Sequence, residues 1–264
     1  MDRSKTLAAA ALMLGGILLG APDAPGRAAP SGSRPAAPET SFVQVGSGEQ
    51  VAGAFVAWPP GTQAAPAIVV VHEWWGLNSQ IRALARRLSS QGYLVIAPDL
   101  YHGKVASDPM KAHELMRGLE TTEALGTLEA AVAWVRAQPR AAKSRVGVIG
   151  FCMGGGLALG LGLQDPSIAA TVMFYGSPEN DPEKLEKLKG ALQAHFGELD
   201  EGIPRKRVDE FRAALQKAGK SAEIYTYPGA GHAFMHDGAE SYRPDAARQA
   251  WARMLAFFQK RLRG

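Results

Sequence analysis

A glycine-rich turn at residues 150–155 (GFCMGG) constrains this chain more than any other stretch. The run before it, residues 146–149, is apolar and β-branched apart from one glycine, which is typical of a strand buried on both faces. After it, apolar residues recur every four positions, which indicates a helix. Cys152, the only cysteine in the chain, therefore lies in a strand-to-helix turn flanked by glycines. This pattern is the G-x-nucleophile-x-G elbow.

The small neighbours of Cys152 have a physical purpose in such a turn. A Cβ at either flanking glycine would collide with the adjoining strand or helix, and the helix N-terminus beneath the sulfur favours the thiolate. Nucleotide-binding motifs do not fit, because no register of these glycines gives G-x-G-x-x-G and none is followed by Lys and Ser or Thr. A buried structural cysteine is the alternative interpretation, since lone cysteines are commonly buried.

The first 38 residues have the pattern of a leader, that is, a signal peptide followed by a tether. Arg3 and Lys5 precede fourteen residues, 7–20, that are apolar or glycine. This run is shorter than the about 20 residues that a membrane span needs, and it fits the apolar region of a secretory signal peptide. Residues 21–38 are rich in Pro, Ala, Gly and Ser, which predicts a disordered tether. We expect a periplasmic or secreted protein, with a retained N-terminal anchor as the alternative.

Residues 39–264 are predicted to form one folded domain. The chain has 264 residues and is 46% hydrophobic, which is enough for a single α/β domain with a substantial core. The net charge of +4 includes no dense basic run, so nothing predicts nucleic-acid binding. A single cysteine excludes an intramolecular disulfide. We expect a monomer that contacts no membrane once the signal is removed.

Strand and helix patterns alternate from residue 41 onward. Strands are predicted at residues 41–45, 51–58, 67–72, 93–97, 146–149, 168–174, 191–196 and 222–227. Helices are predicted from residue 78 or 79 to Gly92, after the elbow, and at about 109–138, 204–218 and 244–262. This alternation predicts an α/β fold with a mainly parallel sheet and helices on both faces. Ligands of such sheets bind at the carboxyl ends of the strands.

Two loops at this edge supply polar partners for Cys152. Asp200 follows a predicted strand, and His232 lies in the glycine-rich loop after the last strand. The chain order nucleophile, acid, histidine is that of the α/β-hydrolase triad, in which the histidine takes the proton of the nucleophile and the acid fixes the histidine tautomer. Alternatively, Asp200 caps the helix that follows it. Two competing acids, Asp99 and Asp165, stand where they more simply organise turns.

A further carboxylate, Glu73, follows the predicted strand 67–72 and precedes Trp74 and Trp75. A zinc helix motif would need a histidine at Gly76, so no metal site is expected. Glu73 is either a solvated loop residue or a carboxylate in a partly dry setting, where it needs a hydrogen-bond donor. The Cys152 thiol is the nearest donor that the predicted fold offers.

The same edge supplies the remaining candidate residues. The backbone N–H groups of Met153 and Trp74 are expected to form an oxyanion hole. Further side chains are predicted to contact a substrate: Trp75, Tyr101, Tyr175, Phe234 and His236. No cofactor is predicted.

From about residue 41 to the C-terminus, the chain resembles the dienelactone hydrolases (carboxymethylenebutenolidases). The matching motifs are HEWWGLN at 72–78, PDLY at 98–101, LEAA at 128–131, GFCMGG at 150–155, FYG at 174–176, FGELD at 196–200 and GHAF at 231–234. The resemblance implies an α/β-hydrolase fold and a triad of Cys152, His232 and Asp200, with Glu73 paired to the resting thiol. It also implies hydrolysis of an unsaturated lactone in chlorocatechol breakdown, without metal or cofactor.

Two departures from the family concern the substrate. Members that use dienelactone hold its carboxylate with arginines, and His236 occupies the place of one of them. The other falls near residues 108–111, where the cation is Lys111. The sequence therefore predicts a thiol-dependent hydrolase of a small lactone or ester. The alternatives are a periplasmic carboxylesterase of broad specificity, a non-catalytic binding protein on the same fold, and a thiol redox sensor.

Overall fold

The structure is a computed structural model that describes residues 37–48 and 51–264. The strands are β1 (Glu39–Val45), β2 (Ala52–Trp58), β3 (Ala65–Val71), β4 (Leu94–Pro98), β5 (Ala141–Phe151), β6 (Ala170–Phe174), β7 (Ala191–Gly197) and β8 (Ala222–Tyr227). The helices are α1 (Ser79–Ser90), α2 (Pro109–Arg117), α3 (Thr121–Ala137), α4 (Met153–Gln164), α5 (Pro182–Leu185), α6 (Arg205–Lys217) and α7 (Pro244–Leu262).

The eight strands form one sheet in the order β1-β2-β4-β3-β5-β6-β7-β8. β2 pairs antiparallel with both β1 and β4. The other neighbouring strands pair parallel: β4 with β3, β3 with β5, β5 with β6, β6 with β7, and β7 with β8. The predicted α/β class with a mainly parallel sheet is confirmed. β5 lies between β3 and β6, so the elbow that ends it stands near the middle of the sheet.

Side chains of successive residues in the central strands point to opposite faces and enter separate cores. In β3, Ile68 and Val70 pack with α1 and α7, whereas Val69 and Val71 pack with α3 and α4. Met173 of β6 packs on the same face as α4, in a third cluster with α5 and α6. Both faces of the sheet are covered, which is why its strands read as nearly continuous apolar runs.

Two sequence predictions need correction. The helix predicted over residues 109–138 is two helices, because α2 ends at Gly118 and α3 begins after Glu120. The short helix α5 was not predicted; it starts with a proline and is capped by the side chain of Asp181. The predicted leader lies outside the described residues except for positions 37 and 38. In the part of the chain that is described, no helix is long and apolar enough to cross a membrane.

Candidate active site

Cys152 occupies the turn between β5 and α4, as the elbow pattern predicts. Its φ of 52° and ψ of −120° lie where L-residues are rarely found. The strain is held in place by backbone hydrogen bonds: the Cys152 N–H donates to the Phe174 carbonyl (3.0 Å), and the Cys152 carbonyl accepts from Gly155 (2.9 Å). Strained residues that the surroundings hold in this way concentrate at functional sites.

The glycines around Cys152 leave no room for a side chain. A Cβ on Gly154 would lie 2.5 Å from the Val71 carbonyl oxygen, and one on Gly155 would lie 2.8 Å from that of Phe174. A Cβ on Gly150 would meet the backbone of Gly154, also closer than 3.0 Å. The elbow therefore depends on glycine at these positions, so that the start of α4 can approach the two neighbouring strands.

His232 and Asp200 are hydrogen-bonded to each other, with 2.7 Å between Nδ1 and Oδ2. Because a carboxylate only accepts, Nδ1 of His232 carries the proton. Asp200 is 2% exposed, and its other oxygen accepts the N–H groups of Gly202 (3.0 Å) and Ile203 (3.1 Å). Asp200 thus closes the turn that precedes α6 without capping that helix, whose N-cap is Pro204.

Cys152 and His232 line one cleft and affect each other electrostatically. Partial burial of His232 works against its charged form. Hydrogen bonds to Asp200 and to the Cys152 sulfur, together with the negative charges of both groups, outweigh this and raise the pKa of His232 to about 10. The arrangement therefore favours the imidazolium form of His232 in the cleft that holds the Cys152 sulfur.

Of the two predicted oxyanion residues, Met153 lines the same cleft as this pair. Met153 is the first residue of α4, and its N–H is one of the helix N-terminal donors that no helical carbonyl can satisfy. Trp74 lies in a turn closed by a hydrogen bond from the Gly76 N–H to the Glu73 carbonyl (3.1 Å). His72, which the sequence analysis did not single out, fixes this loop through two contacts. Its ring accepts the Leu100 N–H (3.1 Å) and donates to the Glu73 carbonyl (2.7 Å).

Glu73 has a different donor from the one predicted. The Tyr175 hydroxyl donates to the Glu73 carboxylate at 3.3 Å, and the described hydrogen bonds include none between Glu73 and Cys152. Glu73 is 6% exposed, and burial raises its pKa although the Tyr175 hydroxyl, His236 and His232 each lower it. Tyr175 contacts both Glu73 and His232, since its ring also lies edge-on to the His232 ring, with 5.1 Å between the ring centroids. A sequence separation of about a hundred residues hid this contact from the sequence analysis.

Tyr175 lines two cavities. The larger, of about 610 Å³, contains Cys152, Met153 and His232 and extends along α3 and α4. The smaller, of about 170 Å³, contains Glu73 and His236 and lies toward α1 and α7. The side chains assigned to the site thus divide between two spaces.

The other predicted side chains differ in their positions. The Tyr101 hydroxyl donates to the Met153 sulfur at 3.3 Å, and burial and then the negative charge of Cys152 raise the pKa of Tyr101 to about 12. Trp75 is half-buried and packs edge-on against Trp74. Phe234, predicted to contact a substrate, is instead fully buried behind Tyr175, because its aromatic ring completes the core between β6 and β8.

The competing acids organise turns, as predicted. Asp99 accepts the N–H groups of Tyr101 (3.0 Å) and Gly103 (2.6 Å), and Asp165 accepts that of Ser167 (2.9 Å). Within the described residues, no group of three or more His, Cys, Asp or Glu side chains is placed to hold a metal ion.

A mostly parallel sheet covered on both faces, with a strained residue in the turn after its central strand, defines a protein of the α/β-hydrolase fold. A sequence profile of the dienelactone hydrolase family matches residues 52–262. The chain belongs to this family of hydrolases.

Individual relatives agree with this assignment. A protein from Synechocystis sp., provisionally named a carboxymethylenebutenolidase, is 33% identical over 231 residues, which cover 81% of this chain and 93% of the relative. A Bradyrhizobium protein, provisionally named a 2-oxo-3-(5-oxofuran-2-ylidene)propanoate lactonase, is 29% identical over 236 residues, covering 84% of this chain and 95% of the relative. The solved structure of a provisionally named dienelactone hydrolase from Klebsiella pneumoniae is 30% identical. It superposes with a TM-score of 0.79 and covers 85% of this chain and 100% of its own.

Proposed function

We propose that this protein hydrolyses a lactone or an ester through an acyl-cysteine intermediate, with Cys152 as the nucleophile. The observation that carries the proposal is the arrangement at the edge of the sheet. The strained Cys152 shares a cleft with His232, and Nδ1 of His232 donates to the buried Asp200. This arrangement supplies the nucleophile, the base and the group that orients the base.

In the proposed reaction, His232 takes the proton of the Cys152 thiol, and the sulfur attacks the carbonyl carbon while the carbonyl oxygen takes the developing negative charge. The N–H groups of Met153 and Trp74 stabilise this oxyanion. The carbon–oxygen bond to the alcohol then breaks, and the proton on His232 passes to the departing oxygen. Water, deprotonated by His232, attacks the resulting thioester, releases the acid and restores the thiol. No cofactor or metal takes part in these steps.

Glu73 is assigned a positioning role in this scheme. Its contact is with the Tyr175 hydroxyl, and Tyr175 in turn packs against the His232 ring. Glu73 therefore acts on the reaction by holding the wall of the cleft beside the base rather than by touching the sulfur. This assignment replaces the direct pairing with the thiol that the family resemblance implies.

The substrate class follows from chemistry that the relatives share. Their names describe lactone-cleaving enzymes, and the ring opening of a lactone uses the same acyl transfer as the hydrolysis of an open ester. The leader signals at residues 1–38 lead us to place the reaction in the periplasm or outside the cell. We assign the working form as a monomer.

The direct test is hydrolysis of 4-nitrophenyl acetate by purified variants. Cys152→Ala and His232→Gln should each lower kcat/KM by about 10³-fold or more, because residues of such a unit act together. The matched control is His102→Gln, which removes a histidine whose partner is the exposed Glu123 and should leave kcat/KM unchanged. Iodoacetamide should label Cys152 in the folded protein and abolish activity to the same extent.

Three results would change the interpretation. Turnover that survives both Cys152→Ala and alkylation would exclude the thiol as nucleophile. A folded protein that binds esters without turning them over would indicate the binding protein. Inactivity toward all esters together with reversible oxidation of Cys152 would indicate the redox sensor, although the chain holds no second cysteine to resolve the oxidised thiol.

A further inference from the structure

The larger cavity continues well beyond Cys152, between helices α3 and α4. We call it the α3–α4 cleft; its volume is about 610 Å³, within the range of small-molecule sites. Ile203 and Leu163 line it on the side of the core cluster that includes α6, and Leu125 and Leu157 line it on the side of the core cluster that includes α3. Met116 and Thr121 also line it. The reacting sulfur therefore opens onto a space larger than a small lactone ring needs.

Two glycines of α4 make this space. Gly156 and Gly160, one helical turn apart, both line the cleft. A Cβ on Gly156 would have nothing closer than the Ser177 carbonyl oxygen at 3.6 Å, and one on Gly160 would lie 3.3 Å from Leu125. Unlike the glycines of the elbow, Gly156 is therefore not required by backbone packing. Because Gly156 has no side chain, the cleft stays open at this position.

Apart from His232 beside the reacting sulfur, the cleft carries no positive side chain: none of the described residues that line it is Lys or Arg. Its carboxylate, Glu179, accepts from Lys184 (3.1 Å) and from the Asp181 N–H (3.0 Å). Partial burial opposes the charge of Glu179, but these hydrogen bonds outweigh it and lower the pKa of this group. Because the negative charge of Glu179 is already paired, the part of the cleft away from His232 offers a substrate an uncharged and largely apolar surface. A carboxylate placed in it would lose water without gaining a partner.

From this geometry we propose that the α3–α4 cleft binds the acyl chain of a neutral ester, a hydrocarbon chain of about four to eight carbons. The inference deepens the proposed function and rests on Cys152 being the nucleophile. The leaving alcohol must face His232, which donates its proton, so the acyl chain extends away from His232, into the part of the cleft lined by Met116 and Leu125. The substrate class is then a neutral aliphatic ester rather than a carboxylate-bearing lactone.

The test uses 4-nitrophenyl esters that differ only in the acyl chain. From acetate through butyrate to hexanoate, kcat/KM should rise about threefold to fourfold for each added methylene that the cleft buries. The mono-4-nitrophenyl ester of adipic acid replaces the terminal methyl of hexanoate with a carboxylate, and its kcat/KM should be at least about tenfold below that of hexanoate. Hexyl acetate against ethyl acetate, which lengthens the alcohol, should show no comparable rise.

Two variants locate the effect. Gly156→Leu fills the cleft, so the ratio of hexanoate to acetate kcat/KM should fall by about tenfold or more. Gln164→Leu adds the same side chain to an exposed position of α4 outside the cleft and is the matched control. Should Gly156→Leu fail to fold, Leu125→Lys tests the same space by charge and should raise the ratio of adipate to hexanoate kcat/KM.

The outcomes separate this inference from the proposed function. Loss of all activity in Cys152→Ala together with equal kcat/KM for acetate and hexanoate would overturn the acyl-chain site and leave the thiol mechanism standing. An unchanged ratio of hexanoate to acetate kcat/KM in Gly156→Leu would also overturn the acyl-chain site. So would a higher kcat/KM of the wild type for the adipate ester than for the hexanoate ester. Chain-length dependence that persists in Cys152→Ala would overturn both.

Discussion

At the scale of single residues, the site is a set of buried polar groups that differ in how well they are paired. The buried carboxylate of Asp200 accepts two backbone N–H groups and the His232 ring. Glu73 is almost as buried, but its described donor is one hydroxyl at 3.3 Å. Asp200 is therefore held by three donors and Glu73 by one, and Asp200 is the carboxyl group that is hydrogen-bonded to His232.

This difference predicts how stability depends on pH. Burial raises the pKa of Glu73 above 4.5 in the folded protein, so as the pH rises past 4.5 the unfolded chain loses this proton more readily than the folded one does. The free energy of unfolding contributed by Glu73 should therefore fall as the pH rises. Glu73→Gln should have a higher unfolding temperature than the wild type at pH 7, and this difference should vanish at about pH 4. Thermal unfolding followed by circular dichroism measures it.

The control for this prediction is Glu120→Gln at an exposed position, which should behave like the wild type at both pH values. Activity tests the positioning role of Glu73 independently of stability. A glutamine side chain at position 73 can still accept the hydrogen bond of the Tyr175 hydroxyl. Glu73→Gln should keep most of the kcat, whereas Glu73→Ala should lose up to about 10²-fold through misplacement of Tyr175 and His232. Equal losses in the two variants would contradict the positioning role and would indicate that the carboxyl proton itself takes part.

At the scale of elements, the elbow joins β5 to α4 with almost no free space. The strained angles of Cys152 persist because the start of α4 is packed directly on the backbones of β3 and β6. Gly154 makes the contact with β3 and Gly155 the contact with β6. The position of the sulfur is thus set by packing between main chains rather than by the side chain of Cys152.

A pair of alanine substitutions tests this packing. Gly154→Ala places a Cβ 2.5 Å from the Val71 oxygen, a backbone atom that cannot move alone, and should lower the free energy of unfolding by about 1–3 kcal/mol. It should also lower kcat by displacing Cys152. Gly156→Ala has an open position in the same helix and should be neutral or stabilising by up to about 1 kcal/mol. Urea unfolding of the two variants compares them, and equal stabilities would contradict the packing account.

At the scale of the whole molecule, the sheet brings distant residues to one edge. Cys152, Asp200 and His232 each follow a parallel strand (β5, β7 and β8), so the carboxyl ends of these strands place them on the same side. Chain order and strand pattern were sufficient to predict this grouping, because both follow from local periodicity and from the topology rules for parallel sheets.

Contacts made by packing were not predictable in the same way. The Tyr175 hydroxyl meets Glu73, and Phe234 enters the core, because of side-chain directions that no sequence spacing encodes. The break between α2 and α3 was missed for a different reason. Gly118 is the C-cap of α2, and glycine is common at helix ends, so the sequence did carry a signal for this break that the apolar spacing alone did not use. The α3–α4 cleft depends on tertiary packing throughout.

The central claim, an acyl group carried by Cys152, can be measured directly. Wild-type protein mixed with 4-nitrophenyl butyrate and quenched in acid during turnover should contain a butyryl adduct, seen by intact mass spectrometry. Digestion should place the adduct on the peptide that contains Cys152, and hydroxylamine should remove it as expected of a thioester. Cys152→Ala treated in the same way should show no adduct. A butyryl group on any other residue, or steady turnover by protein that stays unmodified at every time point, would contradict the account.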